Sequence, residues 1–202
     1  MRRGRTLPRR FYDRDALAVA PELLGKLIVH DDPEAGRLVA RLVEVEAYRG
    51  RDDPGSHAYK GQTPRIASMF ARPGTLYVYF TYGMHWCANA VCGPGTQPHA
   101  VLLRAAEPLD GLDVMRTRRG ERARRDTDLC SGPAKLTQAL GFARPHDGLD
   151  LTRGRVRLVD DGVAPPTRPL VSRRIGIAWG RGDDALFRFS VPGHPHVSRP
   201  PR

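Results

Sequence analysis

Residues 37–48, with the sequence Arg-Leu-Val-Ala-Arg-Leu-Val-Glu-Val-Glu-Ala-Tyr, decide the fold. Their β-branched content and alternating pattern predict one long β-strand. The alternation places Glu44, Glu46 and Tyr48 on one face and the intervening Val and Ala residues on the other. The simplest interpretation is a solvated glutamate face above a buried valine face. A functional role is favoured by position, because Glu46 and Tyr48 lead directly into a loop, where catalytic groups concentrate.

Other segments build a sheet and helices around this strand. We predict further strands at residues 26–30, 75–81, 85–92 and 100–106, with weaker signals at 156–159, 174–179 and 186–191. Gly83 and Gly93-Pro94-Gly95 lie in the connections after the second and third of these strands, which favours antiparallel hairpins. Helical segments are predicted at 16–24, 65–71, 110–119 and 129–140. The pattern predicts an α+β fold, a single mixed domain with a curved antiparallel β-sheet core and flanking helices.

The two ends of the chain differ in composition from its middle. Residues 1–14 include a basic stretch at the start and are expected to form a disordered arm. The proline- and arginine-rich segment from Pro192 onward is expected to be loosely held. The sequence therefore predicts one folded domain over residues 15–198.

Composition limits the class of protein. The chain has 202 residues, of which 40% are hydrophobic and 27% charged, as in a globular domain with a sizeable core. No apolar run reaches about 18 residues, so no membrane span is expected, and no secretory signal is recognised at the N-terminus. Cys87, Cys92 and Cys130 fit neither a zinc site nor a disulfide framework. We therefore expect reduced thiols, no metal and a cytoplasmic protein.

Charge points to a polyanionic partner. The net charge is +11, carried by 30 arginines and only 3 lysines. Arginine binds phosphate in a bidentate manner and stacks on flat groups, so the bias suits nucleic acid. Codon bias in a GC-rich genome explains the ratio of arginine to lysine, but not the excess of positive over negative charge. Arginines between residues 116 and 125 form a patch that can attract phosphates without reading bases.

Five of the six tyrosines fall between residues 48 and 82. Tyr77 and Tyr79 share one strand face, where aromatic residues commonly serve the core or cross-strand pairs. Tyr82 precedes Gly83 and is expected at an exposed hairpin tip. An aromatic side chain there can wedge into a base stack and fill the gap left by an extruded nucleotide, and Met84 can widen that wedge.

Three polar residues complete the candidate site. His57 stands alone in the loop after the long strand, where a surface role is the simplest interpretation. Asn89 and Arg104 fall within apolar strands. A buried arginine needs a carboxylate partner, and Glu46 on a neighbouring strand is a candidate. That pairing would keep Glu46 ionised at neutral pH.

These residues together resemble the alkyladenine DNA glycosylase family, also called the mammalian-type 3-methyladenine DNA glycosylases. The resemblance runs in order over residues 15–198. Its strongest stretches are residues 44–48, 56–57, 63–65, 73–84, 101–105 and 129–136. The chain departs from the family pattern at Ile66, Ser190 and His194.

The resemblance implies a role for each candidate residue. Glu46 corresponds to the general base that activates water, and Arg104 to the arginine that helps to hold that water. The walls of the base pocket correspond to Tyr48, His57 and Tyr79. Asn89 corresponds to the residue that clashes with the 2-amino group of guanine, and Tyr82 to the intercalating side chain, with Met84 beside it.

The resemblance also implies an activity: a monofunctional DNA glycosylase of base excision repair, without cofactor or metal. Its substrate would be double-stranded DNA with alkylated or deaminated purines (3-methyladenine, 7-methylguanine, hypoxanthine or ethenoadenine). We expect a monomer associated with the nucleoid. Two alternatives remain open from the residues alone. One is a non-catalytic nucleic-acid-binding module, and the other is a metal-dependent nuclease that uses Glu44, Glu46 and Asp52 or Asp53.

Overall fold

Among the residues that the computed structural model describes, 4–95 and 97–198, nine β-strands form one antiparallel sheet. The strands are β1 (Arg5–Thr6), β2 (Leu27–Asp32), β3 (Gly36–Tyr48), β4 (Leu76–Thr81), β5 (His85–Cys92), β6 (His99–Asp110), β7 (Val156–Asp160), β8 (Leu170–Ser172) and β9 (Arg188–Ser190). The α-helices are α1 (Arg9–Tyr12), α2 (Ala16–Leu23), α3 (Leu112–Arg119) and α4 (Pro133–Leu140). Short 3-10 helices cover Gly50–Asp52, His57–Lys60, Pro64–Phe70, Gly120–Arg122, Asp126–Asp128 and Arg144–His146. The predicted α+β class is confirmed.

The strand predicted at the centre, β3, has neighbours along both edges. The main path of the sheet runs β1-β7-β2-β3-β6-β5-β4. β2 pairs with the first half of β3, and β9 pairs with residues 44–46 on the second half. Between residues 39 and 45 the register of β3 against β6 shifts three times. Such irregularities bend a strand and increase its twist, so the sheet curls as the sequence predicted.

One face of β3 packs into the hydrophobic core. Val45 and Ala47 are fully buried there together with Leu103 of β6, and α2 and α4 pack against the same sheet. The start of α2 is capped by Asp15, whose carboxylate accepts a hydrogen bond from the Leu17 amide at 2.8 Å. This core fixes the backbone of β3 and therefore the direction in which its glutamates point.

The opposite face of β3 is also buried, so the interpretation as a solvated glutamate face is wrong. Glu44 and Glu46 are fully buried. The C-terminal part of the chain covers them, since Arg188 and Ser198 both donate hydrogen bonds to Glu44. Period-two alternation could not reveal this cover, because it is supplied from about 150 residues away in sequence.

The N-terminal arm is ordered where the structure describes it. Thr6 of β1 lies opposite Val159 of β7, and the Arg9 guanidinium donates to Asp150 at 2.7 Å. Tyr12 is fully buried against the core. The expected disorder is therefore wrong for Arg5–Tyr12, while residues 1–3 lie outside the described part of the chain.

The C-terminal region differs from the sequence prediction in two ways. The segment predicted as a strand at 174–179 is a loop, because Gly176 takes a positive φ of 81° and the Ile175 amide donates to a side chain. The segment after Pro192 is held in place up to Ser198, whose amide donates to Glu44 at 2.6 Å. Residues 199–202 lie outside the described residues.

The departures from the family pattern occupy supporting positions. Ile66 is buried in a small apolar cluster with Tyr77. Ser190 of β9 lies opposite Glu44 of β3, and Nε2 of His194 lies 3.6 Å from Oε2 of Glu107. No helix in the described part of the chain is long and apolar enough to span a membrane.

Candidate active site

The carboxylate of Glu46 is surrounded by hydrogen-bond donors. Its Oε1 accepts from the Ile175 amide at 2.8 Å and lies 3.3 Å from Nη1 of Arg104. Its Oε2 accepts from the Tyr48 hydroxyl at 2.8 Å. An ionised carboxylate has acceptor capacity for all three groups. The predicted pairing of Glu46 with Arg104 is therefore confirmed, and its neighbours favour the charged form.

Burial nevertheless raises the pKa of Glu46 above its usual value. The positive charge of Arg104 and the donors from Ile175 and Tyr48 oppose that rise without cancelling it. The result is a carboxylate more basic than a solvated one, which suits proton abstraction from water.

A second carboxylate, Glu44, fixes the other side of the Arg104 guanidinium. Arg104 Nε donates to Glu44 Oε1 at 3.0 Å, and Arg188 Nε donates to the same oxygen at 2.7 Å. Ser198 adds its amide and its hydroxyl at 2.6 and 3.0 Å. Because Glu44 is fully buried and bound on both oxygens, it holds Arg104 in one orientation. Nothing in the sequence indicated that Glu44 pairs with Arg104.

A cavity of about 480 Å³ opens above this network, within the usual range of ligand pockets. The predicted site residues that line it are Tyr48, His57, Tyr79, Tyr82, Asn89 and Arg104. Glu46 does not itself line the cavity. It lies directly behind the wall, since the three groups that contact it, on Tyr48, Arg104 and Ile175, are all lining residues.

Rings from the loop and from β4 form one wall of the cavity. The His57 ring stands edge-on to Tyr79, with 4.6 Å between ring centroids, and its Nδ1 lies 3.1 Å from the Tyr77 hydroxyl. Tyr77 stacks behind Tyr79 at 5.3 Å. Limited hydration and the nearby Arg65 lower the pKa of His57, which favours a neutral imidazole beside a cationic ring. His57 is exposed, as the simplest interpretation expects, and it also lines the cavity.

Asn89 lies at the base of the cavity. It is almost fully buried, and its amide nitrogen donates to the Tyr77 carbonyl at 3.2 Å. That bond fixes the amide plane between β4 and β5. A fixed polar group at the bottom of an aromatic slot can discriminate between bases by their exocyclic groups.

The hairpin tip between β4 and β5 is exposed as predicted. Tyr82 has 80% of its surface accessible and Met84 68%. Tyr82 adopts a positive φ of 50°, which is uncommon for an aromatic residue and marks a tight turn. Met84 does not line the cavity but belongs to an adjoining groove, whose cationic lining residues are Arg104, Arg118, Arg119, Arg122 and Lys135.

Comparisons with known proteins identify the family of this chain. The family model described as "Methylpurine-DNA glycosylase (MPG)" matches residues 10–195. The chain belongs to the methylpurine-DNA glycosylase family. A protein of Burkholderia lata named "Putative 3-methyladenine DNA glycosylase" is 53% identical over 98% of this chain and 93% of its own length. Relatives with the same name in Streptomyces avermitilis and Carboxydothermus hydrogenoformans are 45% and 43% identical, over 95% and 96% of this chain and 90% and 98% of their own lengths.

Family membership confirms the resemblance seen in the sequence. The chain is therefore a DNA glycosylase, a hydrolase of N-glycosyl bonds that acts on damaged DNA in repair. The finding favours the enzyme over a non-catalytic nucleic-acid-binding module.

Arg174 is a site residue of this glycosylase that sequence reasoning missed. Its guanidinium lies over the Tyr48 ring, 4.7 Å from the centroid, and so covers one face of that wall. Its Nη1 and Nη2 also donate hydrogen bonds to the buried Asp53 carboxylate, at 2.5 and 2.8 Å. The sequence offered a weak strand signal here and no reason to place Arg174 beside Tyr48.

Three of the carboxylates proposed for a metal-dependent nuclease, Glu44, Glu46 and Asp53, are paired with arginines. Asp53 pairs with Arg174, and Glu44 pairs with Arg104 and Arg188. Guanidinium groups already neutralise these carboxylates, so they are not arranged to bind a cation. In residues 4–95 and 97–198, no cluster of three or more potential metal ligands is found.

One lysine lies at the cavity. Lys60 lines it together with Tyr59, and its side chain is exposed. It lies there because the 3-10 helix His57–Lys60 begins at the wall residue His57.

Proposed function

We propose that this glycosylase excises alkylated and deaminated purines from double-stranded DNA by a monofunctional hydrolysis. The substrate class is that of 3-methyladenine, 7-methylguanine, hypoxanthine and ethenoadenine. The supporting observation is the position of Glu46, a donor-bound carboxylate directly behind a cavity walled by rings. The enzyme acts as a monomer on the DNA of the nucleoid.

For the alkylated purines of this class, the chemistry needs one carboxylate rather than two. Alkylation at N3 or N7 places positive charge on the purine and weakens its bond to C1′, so the leaving group needs little protonation. The sugar passes through a state that resembles an oxocarbenium ion. The Glu46 carboxylate stabilises that charge and takes the proton of the attacking water.

One oxygen of Glu46 keeps acceptor capacity for that water. Among the described residues, Oε2 receives one hydrogen bond, from Tyr48, whereas Oε1 receives the Ile175 amide and faces Arg104. A carboxylate oxygen has two lone pairs, so Oε2 can accept a second donor. In this proposal the attacking water donates to Oε2 from the side of the cavity and adds to C1′ of the nucleotide that occupies it.

The walls select the base. Tyr48 offers one face, since Arg174 covers the other, and the wall of His57 and Tyr79 offers a second surface. Stacking on such rings is worth about 1–3 kcal/mol per base, and electron-rich faces favour a cationic base. Asn89 at the base of the slot disfavours the 2-amino group of an undamaged guanine.

Extrusion of the nucleotide is assigned to the hairpin tip. Flipping costs a few kcal/mol, and least for damaged or mispaired bases. Tyr82 stands at the edge of the cavity and is exposed, so it can enter the duplex as the nucleotide leaves, with Met84 beside it. The adjoining cationic groove provides attraction for the phosphates.

The proposal is tested by base release from duplex oligonucleotides that contain hypoxanthine or 3-methyladenine, with an undamaged duplex as control. We expect free base, an intact backbone until alkali is added, and full activity in EDTA. Backbone cleavage that EDTA abolishes would instead support the nuclease. Binding without base release from any lesion would contradict the proposed substrates.

Borohydride trapping tests the monofunctional step. A hydrolytic enzyme gives no trapped protein–DNA adduct. A stable adduct would overturn the hydrolytic mechanism, and its loss in Lys60→Ala would identify Lys60 as the attacking amine. Lys26→Ala is the matched control, because Lys26 pairs with Asp160 on β7, at the far side of the sheet.

A further inference from the structure

The loop that follows Arg174 displays a tryptophan to solvent. Trp179 has 92% of its surface accessible, the largest value among the exposed large hydrophobic side chains in the described residues. Tryptophan is highly buried on average, and a solvent-facing one often marks a binding site. Neither the pocket nor the general base accounts for it, because Trp179 does not line the cavity.

A defined turn holds Trp179 outward. The Arg181 amide donates to the Ala178 carbonyl at 3.1 Å, which closes a β-turn with Trp179 and Gly180 at its centre. Gly180 takes a positive φ of 72°, and its amide donates to Asp183 at 2.8 Å. The turn is therefore built from specific bonds, and the indole has no neighbour into which it packs.

The same loop is anchored in the active site. Ile175 donates its amide to Glu46, and the preceding Arg174 is fixed by Asp53. Residues 175–178 and Arg181 line the cavity. Trp179 is thus carried by a rigid segment at the mouth of the base pocket, within two residues of lining residues on either side.

The loop also lies close to the intercalating tip and carries positive charge. The Tyr82 hydroxyl lies 4.0 Å from the position that a Cβ on Gly176 would occupy. Arg173 and Arg181 are exposed, and neither forms an ion pair with another described residue. A DNA strand that delivers a nucleotide into the cavity must therefore pass this loop, where an indole and two guanidinium groups are available.

We propose that Trp179 is a second DNA-contacting aromatic, which stacks on an unstacked base of the lesion strand beside the flipped nucleotide. Removal of one nucleotide from the stack exposes a face on each of its two neighbours. Tyr82 covers one of these faces, and the indole can cover the other. An undamaged duplex offers no such face. Trp179 therefore strengthens binding to the flipped state more than binding to intact DNA. This inference rests on the proposed flipping, but not on the identity of the lesion.

The test measures binding to two duplexes, one with a tetrahydrofuran abasic analogue and one undamaged. We expect Trp179→Ala to bind the abasic duplex about 5- to 100-fold more weakly, as loss of one base–aromatic stack predicts, with a smaller effect on the undamaged duplex. Trp179→Phe should keep most of the affinity. Val163→Ala is the control, because Val163 is also exposed but lies beyond β7, at the far side of the sheet. Folding should be unchanged, since the indole is solvated.

Fluorescence gives an independent measurement. The other tryptophan, Trp86, is half-buried against Phe80 and lines the cationic groove, so Trp86→Phe isolates the emission of Trp179. We expect the abasic duplex to quench that emission and to protect it from acrylamide. If Trp86→Phe is unstable, the wild-type spectrum minus that of Trp179→Phe gives the same signal.

Three outcomes would overturn the inference: unchanged affinity of Trp179→Ala, emission that does not respond to saturating DNA, or equal weakening for both duplexes. Single-turnover base release at saturating enzyme should fall only as far as the flipped population falls, because Trp179 contacts no group of the Glu46 network. Failure of the wild-type enzyme to release any base would count against the proposed function instead, and would leave the binding results interpretable.

Discussion

Nη1 of Arg104 lies 3.3 Å from Oε1 of Glu46, and both side chains are buried. Arg104 lines the cavity while Glu46 lies behind it, so the guanidinium connects the carboxylate to the space where a base would sit. A second glutamate, Glu44, holds the same guanidinium from the other side. The site is therefore a chain of alternating charges, and its members can be tested one at a time.

Glu46→Gln should bind lesion DNA but release base at least about a hundredfold more slowly, the usual effect of removing a general base. Glutamine keeps the shape but cannot accept a proton from water. The measurement is single-turnover base release together with lesion-DNA affinity. Glu34→Gln is the matched control, because Glu34 is exposed in the turn between β2 and β3. Undiminished release by Glu46→Gln would remove Glu46 from the mechanism.

The pH dependence of base release should have an acidic limb above the ordinary pKa of glutamate. Burial raises the pKa of Glu46, and the neighbouring charge of Glu44 contributes to that rise. Activity needs the ionised form, so the rate falls as pH falls through this raised pKa. Profiles of kcat/KM for the wild type and for Glu44→Gln make the comparison. Removal of the Glu44 charge should move the limb to lower pH, and an unmoved limb would argue against titration of Glu46.

Glu44→Gln should also lower the stability of the fold. It leaves Arg104 and Arg188 buried beside a neutral amide, and breaking a buried ion pair typically costs about 3–5 kcal/mol. Chemical denaturation measures the free energy of unfolding. Glu22→Gln is the control, since its pair with Arg14 is exposed and worth at most about 1 kcal/mol. Equal free energies of unfolding for the two variants would show that the ion pairs of Glu44 do not stabilise the fold.

Tyr82→Ala should weaken base extrusion more than the chemical step. The side chain is exposed, so its removal leaves the core intact. Fluorescence of 2-aminopurine placed beside the lesion reports the extruded population, which we expect to fall, while Tyr82→Phe should retain most of it. A normal extruded population in Tyr82→Ala would assign the wedge to another residue.

Acidification should destabilise the fold through a buried histidine pair. His30 and His146 stand edge to face at 5.0 Å between ring centroids, and burial lowers the pKa of His146 to about 4. Both pKa values lie below the unfolded value of about 6.5, so below that pH the unfolded chain takes up protons first. Stability is complete above pH 6.5 and is lost as the pH falls toward 4, by at most about 3 kcal/mol from His146.

Charged side chains near this histidine pair also shift its pKa values. Asp32 favours the charged form of both histidines, whereas Arg155 opposes it, and Arg118 also opposes it at His30. Denaturation of the wild type and of His146→Gln between pH 7.5 and about 4.5 measures the effect. The variant should lose less stability over that interval. Parallel curves for the two proteins would mean that His146 takes up protons equally in the folded and unfolded states.

Much of the fold was predictable from sequence alone, from the long alternating strand and from the hairpin whose strands flank Gly83. Local pattern is sufficient there, because side-chain period and turn residues act over a few positions. The same local pattern predicted Tyr82 at the exposed tip of the β4–β5 hairpin. The resemblance to a family, spread over the whole chain, supplied the roles of Glu46 and Arg104 that no spacing could give.

Only the tertiary structure decided what covers Glu44 and Glu46. Their strand has a hydrophilic face by sequence, yet Arg188, Ser198 and the Ile175 amide bury it from the other end of the chain. Arg174 reaches the ring of Tyr48 in the same way. Contacts between residues more than 100 positions apart depend on how the sheet curls, and no local pattern carries that information.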